Sequence, residues 1–503
     1  LDERRRLLQP AAFWLLQAGL AEAPKSAWAK QIAHLRQLPG EPKEVQRRLE
    51  VFLDWSKERC NILEEGADGQ YRFTHHRTFQ EYLAAGYLVS LETEGIKTSL
   101  ELVSNRDWWE TLRLMVAATP DSVRRGEFLR RALADQKEEG ALLVATCLAE
   151  VRDPYLDPAL MRETQERLLG IMTDPALSVK ENRALAGQLL GRLGDPRPDV
   201  QVDVPVVVPV SAGIFSIGSS ETNKQAFPDE RPLHEVSLST FWIGRYPVTN
   251  AQYACFVDAK GYETERFWTS NGWRWRQGKY KPDLSYIKEK DTRELVRRWI
   301  EMRTVAERER PYFWKDSRWN IRNHPVVGVT WFEAIAYCKW LGEELEKTHS
   351  AAIVWQDGRP IPLSVEGKTL EVRLPMEAEW EASARGQAGN EWPWGNTFDP
   401  KLANTSESEI GQTTTVGLYP AAASPCGALD MAGNVWEWCQ SLYQPYPYQA
   451  DDGREDLEAD GPRVRRGGSW LSDAGDARCA YRYWYVPEVF NPFIGFRVVL
   501  SLK

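Results

Sequence analysis

The hydrophobic pattern of this chain changes character once, near residue 195, and that change limits the fold more than any single motif. Upstream, apolar residues recur at helical spacing: "SLELVSNRDWWETLRLMVAAT" puts Leu100, Leu102, Trp108, Leu112 and Val116 on repeating faces. "ENRALAGQLLGRLGDPRPDV" predicts a helix from about Glu181 to Leu193, with Gly194 as its C-cap and Pro196 and Pro198 blocking continuation. From Val204 onward, "VPVVVPVSAGIFSIGSS" and "HEVSLSTFWIGRYPVT" alternate short β-branched or aromatic runs with Gly and Pro turns, which is the pattern of strands. Thr249-x-x-Gln252 and Thr330-x-x-Glu333 fit capping boxes ahead of two helices, the second with Trp331, Ala334, Cys338 and Leu341 on one face. "PMEAEWEASARG" predicts a third helix, opened by Pro375 and closed at Gly386. The expected fold class is therefore multidomain: an all-α N-terminal region followed by an α+β domain. The expected divisions are 1–119 (helical), 120–200 (helical, in the manner of a stacked helix pair) and 201–503.

Composition narrows the function. The 22 tryptophans crowd into the C-terminal half, as in "NGWRWRQG" and "EWPWGN", and suit a loop-rich domain that must bury much area per residue. A net charge of −9 gives no global basic field, so neither nucleic acid nor an anionic membrane surface is expected as partner. No apolar run approaches the length of a membrane span. The opening "LDERRRLLQPAAFWLLQAGL" reads as an amphipathic helix rather than a leader, and its first residue, Leu1, suits a piece of a longer protein. Seven cysteines without a CxxC pair point to free thiols in a reducing, cytoplasmic compartment. Arg463, Arg465 and Arg466, beside a Gly-Gly turn, are expected as carboxylate partners or a solvated strand edge.

Seven segments occur in order: "SAGIFSIGSS", "RPLHEVSLSTFWIGRYPVTNAQYACFV", "HPVVGVTWFEAIAYCKWLG", "VRLPMEAEWEASARG", "PWGNTFD", "LDMAGNVWEW" and "RVRRGGSW…GFRVV". Together they resemble the formylglycine-generating-enzyme, or sulfatase-modifying-factor, domain. The resemblance implies a C-type-lectin-like fold: a small twisted sheet, two helices and a broad loop surface ending in the final hairpin. Those enzymes oxidise a substrate cysteine with oxygen through copper(I) held by two cysteines, the soft ligands that ion prefers. Here the first cysteine position falls on Ser472, and Asp473 to Ala477 supply no second one. Cys479 and Cys439 are expected to pack as small hydrophobes. A related branch holds iron in a histidine triad, whose spacing the six dispersed histidines lack. The expectation is a protein that is not an enzyme and requires no cofactor.

The closing segment 467–497 has a second resemblance. Into the frame "GGSW", "A", "ARCAYR", "W", "PE", "F", "IGFR" are set Leu471, Ser472, Asp473, Asp476, Tyr483, Tyr485, Val486, Val489, Asn491, Pro492 and Phe493. This layout is similar to the variable proteins of diversity-generating retroelements, in which mutagenic reverse transcription randomises Asn codons. Changing the first two bases of such a codon reaches every one of the inserted residue types. It cannot reach Trp or Glu, which occupy the frame at Trp484 and Glu488. Tyr and Phe give contact area with few rotatable bonds, as paratopes use them. The implied partner is a protein or other macromolecular ligand held on a hypervariable, aromatic-rich surface. A formylglycine-type oxidase and a non-diversified interaction module are the alternatives.

Two further implications come from resemblance alone. The loops matching "LDMAGNVWEW" and "NTFDPKLANTSE" bind calcium in the formylglycine-generating enzymes. Carry-over assigns a structural calcium to Gly433, Val435 and Glu437, and another to Asn404 and Thr405. "FTHHRTFQEYLAAGYL" resembles the helical tail after the nucleotide-binding core of NACHT-type signalling ATPases, so the N-terminal helices are expected to partner such a module. No GxxxxGK[ST] phosphate cradle is present in the sequence. His75 and His76 are expected as packed helix-start residues rather than metal ligands.

Overall fold

The structure is a computed structural model describing residues 2–66, 68–74, 77–135, 137–150, 157–200, 203–347, 352–363 and 369–502. His75 and His76 lie outside the described residues. The chain forms two compact units, Leu1–Leu168 and Leu169–Lys503.

The first unit is helical, as its periodicity requires. The helix Asp2–Gln17 lays Phe13 against Tyr87 of the helix Arg77–Ser90, with ring centroids 5.2 Å apart. The period in "SLELVSNRDWWETL" is interrupted: one helix ends at Leu102 and the next begins at Trp109. Between them the Asn105 side chain accepts from Asp107 N and caps a short turn that buries Trp108. The unit also holds a three-stranded antiparallel sheet, Glu22–Pro24, Gln70–Phe73 and Leu63–Glu65, with Gln70–Phe73 in the middle. Such short strands carry too few residues to show a period of two. Among the described residues no helix is long and apolar enough to cross a membrane.

In the second unit the helix Ala184–Leu193 follows a π turn at Val179–Arg183 and ends at Gly194, whose φ of 99° suits glycine. This helix packs with the C-terminal residues. Asn323 donates from Nδ2 to Gly187 O at 3.0 Å and to Asp195 at 2.7 Å, and Arg183 donates to Leu418 O at 2.6 Å. The packing boundary at 168 therefore lies upstream of the change in periodicity at 195.

Both expected capping boxes form. Thr249 and Gln252 bond reciprocally ahead of Asn250–Asp258, and Thr330 and Glu333 do so ahead of Trp331–Lys347. Trp331, Ala334, Cys338 and Leu341 are all buried, as their shared face requires. The third helix, Glu377–Arg385, takes Met376 as N-cap, so Pro375 stands just outside it.

A six-stranded sheet has the order Leu370–Arg373, Val499–Leu502, Phe241–Gly244, Val206–Val210, Ile353–Gln356, Arg359–Pro362. A separate four-stranded sheet carries the closing segment. Its strands are β1 (Trp436–Leu442), β2 (Arg463–Arg466), β3 (Arg482–Tyr485) and β4 (Ile494–Gly495), in the order β3-β2-β1-β4. The β1/β4 pair is parallel and the others are antiparallel. The final motif is thus no simple hairpin, because residues 467–481 form a long loop between β2 and β3.

Candidate functional site

The two faces of this four-stranded sheet differ in chemistry. Strand alternation puts Arg466, Arg482 and Glu437 on one face, and Arg463, Arg465, Tyr483, Tyr485 and Trp436 on the other. The first face is locked by buried ion pairs. Glu377 receives Arg466 at 2.8 Å and Arg482 at 2.8 and 2.6 Å, while Arg478 of the β2–β3 loop reaches Glu230 at 2.6 Å. Charges so deeply buried persist because each has an opposite partner in good geometry.

Arg465, on the other face, has no such partner. It is only 6% exposed, and its guanidinium carbon lies 4.4 Å from the Trp436 ring centroid, 4.8 Å from Tyr483 and 4.3 Å from Tyr485. Its Nε and Nη1 are buried without any hydrogen-bond partner among the described residues. The other buried arginines all donate to a carboxylate or a carbonyl. Burial lowers the Arg465 pKa to about 10, which still leaves it charged at neutral pH. Cation–π contacts satisfy the faces of a guanidinium and leave its in-plane N–H groups unspent.

Seven of the eleven residues named in the closing segment are at least partly exposed. Tyr483 is 43% exposed and Leu471 59% exposed; Asp473 is also exposed. Asp476, Tyr485, Pro492 and Phe493 are half-buried. Burial, then the neighbouring Asp473, raises the Asp476 pKa. The other four are corrections to the sequence reading. Strand β3 ends at Tyr485, and a turn in which Val489 N donates to Val486 O sends Val486 and Val489 into the core at 0% and 2% exposure. Asn491 is buried, with its carbonyl taken by Gly328 N at 3.0 Å. Ser472 is buried beside Ser469, and its carbonyl accepts from Ser406 N at 2.8 Å. Trp484 alternates to the opposite face and packs on Tyr286, with ring centroids 5.6 Å apart.

Of the arginine triplet, Arg466 is the expected carboxylate partner, whereas Arg463 donates to the carbonyls of Gln440, Asp456 and Ala459. None of the three is a solvated edge. Arg465 is neither a carboxylate partner nor a solvated edge, and the sequence reading missed the rings around it. The available signal was the period-two pairing of "RVR" with "YWY".

Several of the groups assigned to calcium already carry hydrogen bonds, although Thr405 Oγ1 is buried without a partner among the described residues. Both oxygens of Glu437 are taken by Arg497, each at 2.6 Å, and one also accepts from Trp380 Nε1. The Asn404 carbonyl accepts from Asn434 N at 2.8 Å, and its Oδ1 accepts from Ser408 Oγ at 3.1 Å. The Thr405 carbonyl accepts from Ser408 Oγ at 2.7 Å, and Gly433 and Asn404 pair as a β-bridge beside Val435. A hard cation at Glu437 would share its oxygens with the Arg497 guanidinium. Among the described residues no cluster of three His, Cys, Asp or Glu could hold a metal ion. Cys439 and Cys479 are buried, and burial raises both thiols above the free range, away from the thiolate that binds copper(I) or attacks.

The description "Sulfatase-modifying factor enzyme 1-like domain" matches residues 193–502, well over half of the chain. The chain belongs to this family. Its sulfatase-modifying-factor domain is the α+β part, preceded by the helical N-terminal region. The serine/threonine-protein kinase pkn1 of Chlamydia caviae is 33% identical over 300 residues, covering 58% of this chain and 38% of the kinase. The chain thus spans well under half the length of that relative. The formylglycine-generating enzyme of Thermomonospora curvata is 29% identical over 326 residues, 60% of this chain and 95% of that enzyme. Among solved structures, Treponema denticola variable protein 1 aligns with a TM-score of 0.37 and 21% identity, over 58% of this chain and 94% of that one.

Proposed function

We propose that the sulfatase-modifying-factor domain of this chain is a non-catalytic binding module. Its working surface would be the open face of the four-stranded sheet and the β2–β3 loop. The observation that carries this reading is the arrangement of Tyr483 and Tyr485 around the partnerless Arg465, beside exposed Leu471 and Asp473. Clustered exposed rings usually mark an interaction surface. The buried Ser472 at the first copper-cysteine position and the raised pKa values of Cys439 and Cys479 argue against oxidation of a substrate thiol. No calcium is needed in this reading.

The ligand in this reading is a macromolecule, most naturally a protein, met in the cytoplasm. The N-terminal helices would couple capture to a NACHT-type signalling module, and segment 467–497 would be diversified by a retroelement. Two observations test it. Incubation of the chain with copper and a cysteine-containing peptide, followed by mass spectrometry, leaves the peptide mass unchanged; conversion of the cysteine overturns the reading. The DNA beside the gene carries a reverse-transcriptase gene and a near-copy of the codons for Gly467 to Arg497, with Asn codons at the display positions. Without that copy, the module is a fixed interaction domain.

A further inference from the structure

We infer that Arg465 is the receptor for a carboxylate on the ligand, presented next to an apolar or aromatic group. The inference rests on the binding-surface reading and names the chemistry that surface takes. A buried cation without a hydrogen-bonding partner is costly, and a protein retains one where a ligand completes it. Arg466, adjacent in sequence, has two carboxylates, Glu377 and Glu381, at 2.8 and 2.9 Å. The fold supplies carboxylates or carbonyls to its other buried arginines, and Arg465 has neither within hydrogen-bond distance among the described residues. Three ring centroids lie 4.3 to 4.8 Å from its guanidinium carbon, yet Nε and Nη1 have no hydrogen-bond acceptor among the described residues, and a guanidinium's N–H groups suit the oxygens of a carboxylate.

The charge balance selects a monoanion. Arg465 is one cation, and Asp473 and Asp476 lie on the adjoining loop, where Asp476 already feels the Arg465 charge. Both anions would meet the two carboxyl groups, and a phosphate dianion would be repelled about twice as strongly as a carboxylate. A carboxylate matches the single guanidinium, and the rings around it accommodate the apolar neighbour. A C-terminus and an Asp or Glu side chain of a protein ligand supply the same group.

The test uses the full chain and four probes, followed by ligand-observed NMR: N-acetyl-phenylalanine, its amide, N-acetyl-Phe-Asp-amide and phenyl phosphate. N-acetyl-phenylalanine models a C-terminus, and N-acetyl-Phe-Asp-amide models a side-chain carboxylate. We expect at least one of these two to bind about tenfold or more tighter than the amide, the scale of one charge-assisted pair. Phenyl phosphate should bind no better than the amide. Arg465→Gln should reduce the acid to the level of the amide while leaving amide binding in place. Arg465→Lys, which keeps the charge and loses the fork, should fall between and guards against a folding defect in the first variant. Tyr483→Ser should weaken acid and amide alike. Equal binding of acid and amide, tighter binding of phosphate, no binding of either acid at about 10 mM, or an unaffected Arg465→Gln overturns the carboxylate inference. Retained sensitivity to Tyr483→Ser in those cases leaves the surface reading standing, and insensitivity to both variants removes it as well.

Discussion

Arg497 donates through Nε and Nη2 to the two oxygens of Glu437, each at 2.6 Å, so the carboxylate that family likeness offers to calcium is already spent on a guanidinium. Removing one partner of such a pair strands the other in the core. We expect Glu437→Gln to lower stability by about 3–5 kcal/mol, with or without calcium. Chelation of calcium should leave the Tm of the wild-type chain unchanged, and a marked fall on chelation would restore the metal to the loop.

The exposure of the closing segment separates binding from stability. Tyr483→Ser, which removes one of the rings on Arg465, should lower unfolding free energy by about 0.5–1 kcal/mol. Val489→Ala, two residues before the buried Asn491, removes core packing and should cost roughly 1–3 kcal/mol. Urea denaturation of the two variants checks the contrast; equal costs would mean the strand faces are misassigned.

Glu488 is 1% exposed, both its oxygens lack a hydrogen-bond partner, and burial raises its pKa to about 8. A carboxyl whose pKa is raised on folding is stabilising below the unfolded value, and that stability is lost as pH rises toward the folded value. Glu488→Gln, which keeps the neutral shape, should therefore stabilise the chain by up to about 4 kcal/mol at pH 7.5. The advantage should vanish near pH 4.5, the ordinary value for Glu. Melting curves at the two pH values provide the measurement, and a constant difference would refute the assignment.

Thiol accessibility gives an independent check on the chemistry. Cys147, Cys338, Cys439 and Cys479 are buried, whereas Cys60, Cys255 and Cys426 are partly exposed. Alkylation of the native chain should modify the second group first and reach the first group only on unfolding. Rapid native labelling of Cys439 or Cys479 would reopen the case for a reactive site.

The capping boxes at Thr249 and Thr330 were legible because their partners lie three residues away. The same holds for the stop at Gly194. The family was legible from ordered motifs rather than from physics. Val486 and Val489 were misread because the run "YWYV" continues past the end of the strand, and only the turn after Tyr485 shows where the side chains go. The surroundings of Arg465 were harder to read for a different reason. Its rings stand at residues 436, 483 and 485, brought together by sheet register, and a missing partner leaves no trace in a sequence.

The carboxylates that hold Arg466, Arg478, Arg482 and Arg497 come from Glu230, Glu377, Glu381 and Glu437, all outside segment 467–497. Substitution at Leu471, Asp473, Tyr483 or Tyr485 therefore leaves every one of those struts in place. Braced in this way, the domain keeps its skeleton independent of the side chains that its closing segment turns to solvent.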